Sequence, residues 1–188
     1  MVRTRRLCSR FGEDHRAFLA KEIDRLLPIA RDPRNPMARI ARFLIDSLLW
    51  CWTADGVDSD GNAVRDGLKY DLRHQRHTTQ ALELWEANGR RGSGLRHEHA
   101  VPKTVLLKHL LTLEDATPSL VGKTLERFCF AIIVSRSEDD LLNERGYRET
   151  MPPDWSFAAA DCDPLARYVA CDLGTSVRDP LTPSAAAG

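Results

Sequence analysis

Residues able to do chemistry crowd into one stretch, Leu95–Leu111, which reads LRHEHAVPKTVLLKHLL. It holds His97, His99 and His109, three of the six histidines in the chain, with Glu98 between the first two. Neutral imidazole is a ligand for zinc, nickel, iron or manganese, and it accepts a proton near neutral pH. Side chains alternate along an extended segment, so His97 and His99 share a face and Glu98 takes the other. Pro102 suits the first position of a helix. His109 then falls about two turns along that helix, on an apolar, core-facing side with Val105, Leu106, Leu110 and Leu113. A metal site drawn from His97, His99, His109 and Glu98 needs this helix to fold back beside the HxH segment. Mg, Mn and Zn are the divalent ions considered. The alternative gives the histidines structural work: hydrogen bonds to loop carbonyls, stacking on aromatic rings, and a satisfied core position for His109.

The hexapeptide His97–Pro102, HEHAVP, resembles the first motif of the HNH (His-Me finger) nucleases, where an acid–His pair precedes two apolar residues and a proline. The resemblance implies His99 as the general base that activates water against a phosphodiester. It implies Glu98 as a ligand to a divalent metal that offsets charge building on the phosphate. It also implies a hairpin after the motif, then an asparagine, then a helix carrying a second His or Asn. No histidine follows His109, and Asn143 is the one asparagine there. Asn143 falls in a predicted short helix and could act as the late polar ligand; the strand–strand–helix order itself is not visible in the sequence.

A second cluster, Arg73-His74-Gln75-Arg76-His77, has the residue types for phosphate contact or for an HxxH metal pair. If the connection Arg90–Gly94 folds back, His74 and His77 line one basic cleft with His97, His99, Arg90, Arg91 and Arg96, a groove for nucleic-acid phosphates. The alternative is a solvated basic patch.

Other chemistries lack their motifs. Neither GxGxxG nor GxSxG occurs, and Gly122-Lys123-Thr124 has Thr117 where a P-loop needs glycine. The turn-rich stretch from Thr53 to Lys69 offers Asp55, Asp58 and Asp60, but the twelfth position of a calcium loop is Asp66 rather than Glu, so it reads as a solvated loop. The five cysteines are odd in number and include no CxxC pair, which points to reduced thiols; Cys51 and Cys129 sit inside apolar patterns.

The 188 residues balance 27 basic against 27 acidic side chains, so any nucleic-acid surface has to be local. No apolar run approaches the ~20 residues that span a bilayer, and Arg3, Arg5 and Arg6 are not followed by an apolar core as in a secretory signal. The expectation is a cytoplasmic protein with no membrane partner.

The elements that position the cluster read as helices. Apolar spacing predicts helices over 13–30 and 36–52, the second with Ile40, Phe43, Leu44, Ser47, Leu48 and Cys51 as its inward stripe. Thr78 or Thr79 caps a helix to about Asn88. Further helices follow from Pro102 to about Leu113 and over 119–134, with a short strand as the alternative for its β-branched end, Ile132–Val134. Ser137 with Asp140 reads as the cap of a helix ending at Gly146. A last helix spans 164–173 with Leu165, Tyr168 and Val169 inward. The fold class is therefore mainly α: one domain, 11–178, of six to seven helices with at most a minor β element, between a basic arm (1–10) and a disordered tail (179–188).

Three functions fit this sequence. The first is a nucleic-acid-processing or nucleic-acid-binding protein acting on DNA or RNA through Glu98, His99 and a divalent metal, with His97 and His109 beside them. The second is a non-catalytic helical interaction module, of phage or defence-system type, with a protein partner on an apolar patch including Trp155 or Trp50. The third is a metal-binding enzyme acting on a small molecule.

Overall fold

The computed structural model describes residues 10–159 and 161–181. Helices α1 (Glu13–Arg31) and α2 (Ala38–Ala54) open the chain as an antiparallel pair. The turn-rich segment after them holds a small hairpin, β1 (Gly56–Val57) with β2 (Ala63–Val64). Then come β3 (Arg76–Thr78), α3 (Thr79–Ala87), β4 (Leu95–His99), α4 (Lys103–Thr112), α5 (Pro118–Phe128), β5 (Ala131–Ser135), α6 (Arg136–Glu144), α7 (Ala166–Val169) and β6 (Val177–Arg178).

Helix dominates, but the expected class needs correcting: a four-stranded mixed sheet stands at the centre, so the fold is mixed α/β. Its order is β4-β5-β3-β6. β5 pairs antiparallel with β4 and parallel with β3, and β6 closes the far edge antiparallel to β3. All five residues of β5 are buried, the signature of a strand covered on both faces. That is why Ile132, Ile133 and Val134 could pass for the end of a buried helix: a continuous apolar run does not distinguish the two.

The sheet divides the core. On one face Leu95 and Ile133 pack with Leu72, Ala81 and Trp85 of α3. On the other, Ile132 and Val134 pack with Leu142 of α6, Tyr168 of α7, Ala100 and Cys171. Beside both, α1, α2, α4 and α5 share a helical cluster around Ile23, Leu27, Ile45, Leu49, Leu106, Leu110 and Leu125, all fully buried.

α2 is turned from its expected setting. Ala41, Ile45, Leu49 and Trp52 face inward, while Ile40, Phe43 and Leu44 are exposed. Both stripes have helical spacing; the one that is buried, Ala41, Ile45, Leu49 and Trp52, shares a cluster with Leu27 and Ala30 of α1. The cap of α6 is also shifted. Ser135, not Ser137, is its N-cap, and Glu138 reaches back to complete a capping box. In α7, Tyr168 is inward as expected, but Val169 is 57% exposed and Arg167 is buried.

The basic arm falls largely outside the described residues, as does most of the expected tail. Of the tail, Asp179 pairs with Arg76 at 3.2 Å and the Leu181 amide donates to the Leu72 carbonyl at 2.9 Å. No helix among the described residues is long and apolar enough to cross a membrane.

Candidate functional site

β4 places the HEH segment. Its register against β5 sets His97 opposite Ile133 and His99 opposite Ala131, so both imidazoles project to one face, as alternation requires. Their rings meet edge to face with centroids 5.4 Å apart. Trp50, near the end of α2, lies across them, its centroid 4.9 Å from His97 and 5.9 Å from His99. One turn on, Thr53 Oγ1 and His99 Nε2 are hydrogen-bonded at 3.1 Å, the donor being set by the tautomer.

Both histidines are buried, His97 at 7% exposure and His99 at 6%. Neither ring nitrogen of His97 has a protein partner. Buried polar groups are normally satisfied; His97 is an exception among the described residues, as are His77 Nε2 and Trp85 Nε1. Burial, assisted by the Lys69 ammonium, lowers the His97 pKa to about 4. Burial, then His97 and Lys103, holds His99 well below its ordinary value. At neutral pH the pair is uncharged.

Two cations flank the indole. Lys69 Nζ lies 4.9 Å and Lys103 Nζ 5.5 Å from the Trp50 ring centroid. Lys103 is also ion-paired with Asp46 at 2.7 Å. The indole N–H donates to Asp66 at 2.8 Å, which ties the turn-rich segment to the histidine pair.

Glu98 takes the opposite face, where its carboxylate pairs with Arg167 at 3.1 Å. Burial raises its pKa and Arg167 opposes that rise. The Arg167 guanidinium also donates to the carbonyls of His99, Ala100 and Tyr147. An arginine that is 1% exposed is tolerated because its donors are used.

The four residues expected to share a metal do not come together. Glu98 is across the sheet from His97 and His99. His109 stacks flat on Phe157, centroids 3.7 Å apart, and borders a separate groove of ≈ 700 Å³ with Met151 and Trp155. It is half-buried rather than a core residue. Among the described residues no three His, Cys, Asp or Glu side chains are arranged to hold a metal. His97 and His99 supply two imidazoles, one short of the usual protein set for zinc, so the residues present do not fit a resident zinc centre.

The basic cleft is also only partly assembled. His77 sits in β3 opposite Ile133, in one row with His97 across three strands, but it is buried and its Nε2 has no partner. Arg96 faces the other way, 3.7 Å from Asp139 of α6. Arg90, in a left-handed conformation (φ 62), lies over Trp85, and Arg91 is exposed. His74 lies in the turns before β3. Asn143 follows β5 on α6, which gives a strand–strand–helix order with α4 and α5 inserted between the strands. That helix packs on the Glu98 face, so the sheet separates Asn143 from His99.

Trp50, Thr53, Asp66, Lys69, Lys103 and Arg167 complete the site and were not read from the sequence as members of it. Only Trp50 is singled out by the sequence, as a candidate for an apolar patch. Comparison with family models, with curated proteins and with solved structures gave no match.

Proposed function

We propose that this is a nucleic-acid-processing protein that acts on phosphodiesters at the His97–His99 pair. One observation carries the reading: His97 is buried, neutral and without a hydrogen-bond partner at either ring nitrogen, next to the Lys69 ammonium. Burial is the main cause of the low His97 pKa and Lys69 the lesser one; a phosphate arriving beside Lys69 offsets the lesser cause and shifts the pKa upward, the direction that favours a general base. His97 then accepts the proton of the attacking water as the P–O bond breaks, and the leaving oxygen takes its proton from solvent. His99, held by Thr53, orients its neighbour. This gives His97 the role that the HNH resemblance assigned to His99, whose Nε2 is already engaged. Glu98 supports the strand through Arg167 rather than touching substrate.

The test is cleavage of single-stranded and duplex DNA and of RNA, with Mg²⁺, Mn²⁺, Zn²⁺ or EDTA. Cleavage that His97→Ala abolishes, with an unchanged circular dichroism spectrum, supports the reading. Intact substrates in every condition overturn it.

A second reading, an interaction module with structural histidines, is favoured by the exposed apolar stripe Met37, Ile40, Phe43 and Leu44 on α2. Neither Trp50 nor Trp155, the residues expected in such a patch, is among the exposed large apolar side chains. Sedimentation over a range of concentrations tests this reading. Self-association removed by Phe43→Glu supports it, and a concentration-independent monomer argues against it.

A further inference from the structure

Trp50 decides what can reach the histidines. The His97 nitrogens are sealed from solvent, and the indole lies against both imidazoles. Its one polar tie is the 2.8 Å bond to Asp66, a residue at φ 54, in the left-handed region that favours glycine. Two ammonium groups rest against its ring, and at such partly exposed sites cation–π contacts are weak enough to exchange.

Resting on the phosphodiester reading above, we propose that the site takes single-stranded nucleic acid and rejects duplex. Trp50 swings off the histidines and stacks on an unpaired base. Lys69, released from the indole, meets a flanking phosphate, while Lys103 keeps its ion pair with Asp46 beside the opening. A duplex cannot do this: its bases are stacked on one another and its phosphates ride on a stiff backbone. A single strand supplies both a free base face and a flexible backbone that follows the indole into the opening. An aromatic platform flanked by cations is the combination that binds single strands without strong base preference.

The experiment is fluorescence anisotropy of the full chain in EDTA, at fixed salt. One probe is a labelled poly-thymidine DNA strand and the other a blunt duplex of equal length. The strand is expected to bind at least about tenfold more tightly than the duplex. Trp50→Ala should weaken strand binding about fivefold to a hundredfold, the range for loss of one stacked base, while Trp50→Phe keeps most of it. Lys69→Gln should weaken binding and lower the salt slope by about one. Should Trp50→Ala unfold, Lys69→Gln still carries the test, and strand binding unchanged by it overturns the inference. Duplex affinity equal to that of the strand overturns this inference, and with cleavage of the duplex it leaves the processing reading standing. Strand binding that is indifferent to both Trp50→Ala and Lys69→Gln overturns it too, and binding to neither probe removes both readings.

Discussion

Arg167 donates to the backbone carbonyl of His99 from one side of the sheet, while Thr53 holds the ring of the same histidine from the other. His99 is thus fixed at its main chain by α7 and at its imidazole by α2. With Glu98, Ala100 and Tyr147 on the same guanidinium, one arginine organises the turn that leaves β4.

Arg167→Ala should cost about 3 kcal/mol in a urea melt, because it leaves the carbonyls of His99, Ala100 and Tyr147 without their donor and the partly buried Glu98 without its ion pair. Arg167→Lys should recover only part of that loss, since an ammonium cannot match the planar fork. A change below about 1 kcal/mol for Arg167→Ala would mean that this face carries little of the fold's stability.

His97 makes stability depend on pH in a defined window. Its pKa falls from 6.5 unfolded to about 4 folded, so the unfolded chain binds the proton more readily. Its contribution is complete above pH 6.5 and is lost as pH drops through about 4. The drop corresponds to about 3 kcal/mol. Urea melts at pH 7.5 and pH 4 should differ by less in His97→Leu than in the wild type. Equal differences would count against a buried neutral His97.

Glu138 accepts from the Thr78 hydroxyl at 2.7 Å and from the Ser135 amide at 2.8 Å, thereby joining β3 to the end of β5. Glu138→Ala strands both donors in the interior and should cost about 2 kcal/mol. Ser135→Ala removes the cap together with the hydroxyl's bonds to Gln80 and Ser137 and should cost about 1 kcal/mol. Thermal melts of the two variants give the comparison.

The two faces of α2 should respond oppositely. Ile45→Ala, at a fully buried position, should destabilise by about 2 to 5 kcal/mol. Phe43→Ser, at 68% exposure, should stay within about 0.5 kcal/mol. The reverse order would restore the inward stripe that spacing alone suggested.

Gly92 lies against Tyr70, and a Cβ there would come 2.3 Å from the ring. Gly92→Ala should therefore displace Tyr70 and destabilise by about 1 to 3 kcal/mol. A neutral substitution would show that the ring moves freely.

What the sequence revealed was local. The alternation of His97, Glu98 and His99, the Thr78 cap and the Gly146 stop follow from neighbours along the chain. What it hid was long-range. β5 is a strand because β4 and β3 flank it; its β-branched Ile132–Val134 offered a strand only as the alternative to a buried helix. Trp50, Lys69 and Lys103 come from separate segments, so no spacing pattern links them to His97. Arg167 was hidden for another reason: a buried arginine is recognised by its acceptors, and those come from Glu98, His99, Ala100 and Tyr147. His109 misled because α4 has apolar residues on several sides, and Phe157, far along the chain, settles which side the ring meets.

The insertion of α4 and α5 between β4 and β5 also bears on how the protein comes to be folded. The strand carrying the histidines is synthesised well before its antiparallel neighbour, and among the described residues β5 is the only strand that pairs with it. Pairings between distant segments form slowly because loop closure precedes any reward from contact. Helical signal in a refolding experiment should therefore return before the fluorescence of Trp50 regains its native value. On a ribosome, the HEH segment waits with an open edge until Ser135 has emerged. The interval between those events is when the chain is most exposed to mispairing, and when a chaperone has most to protect.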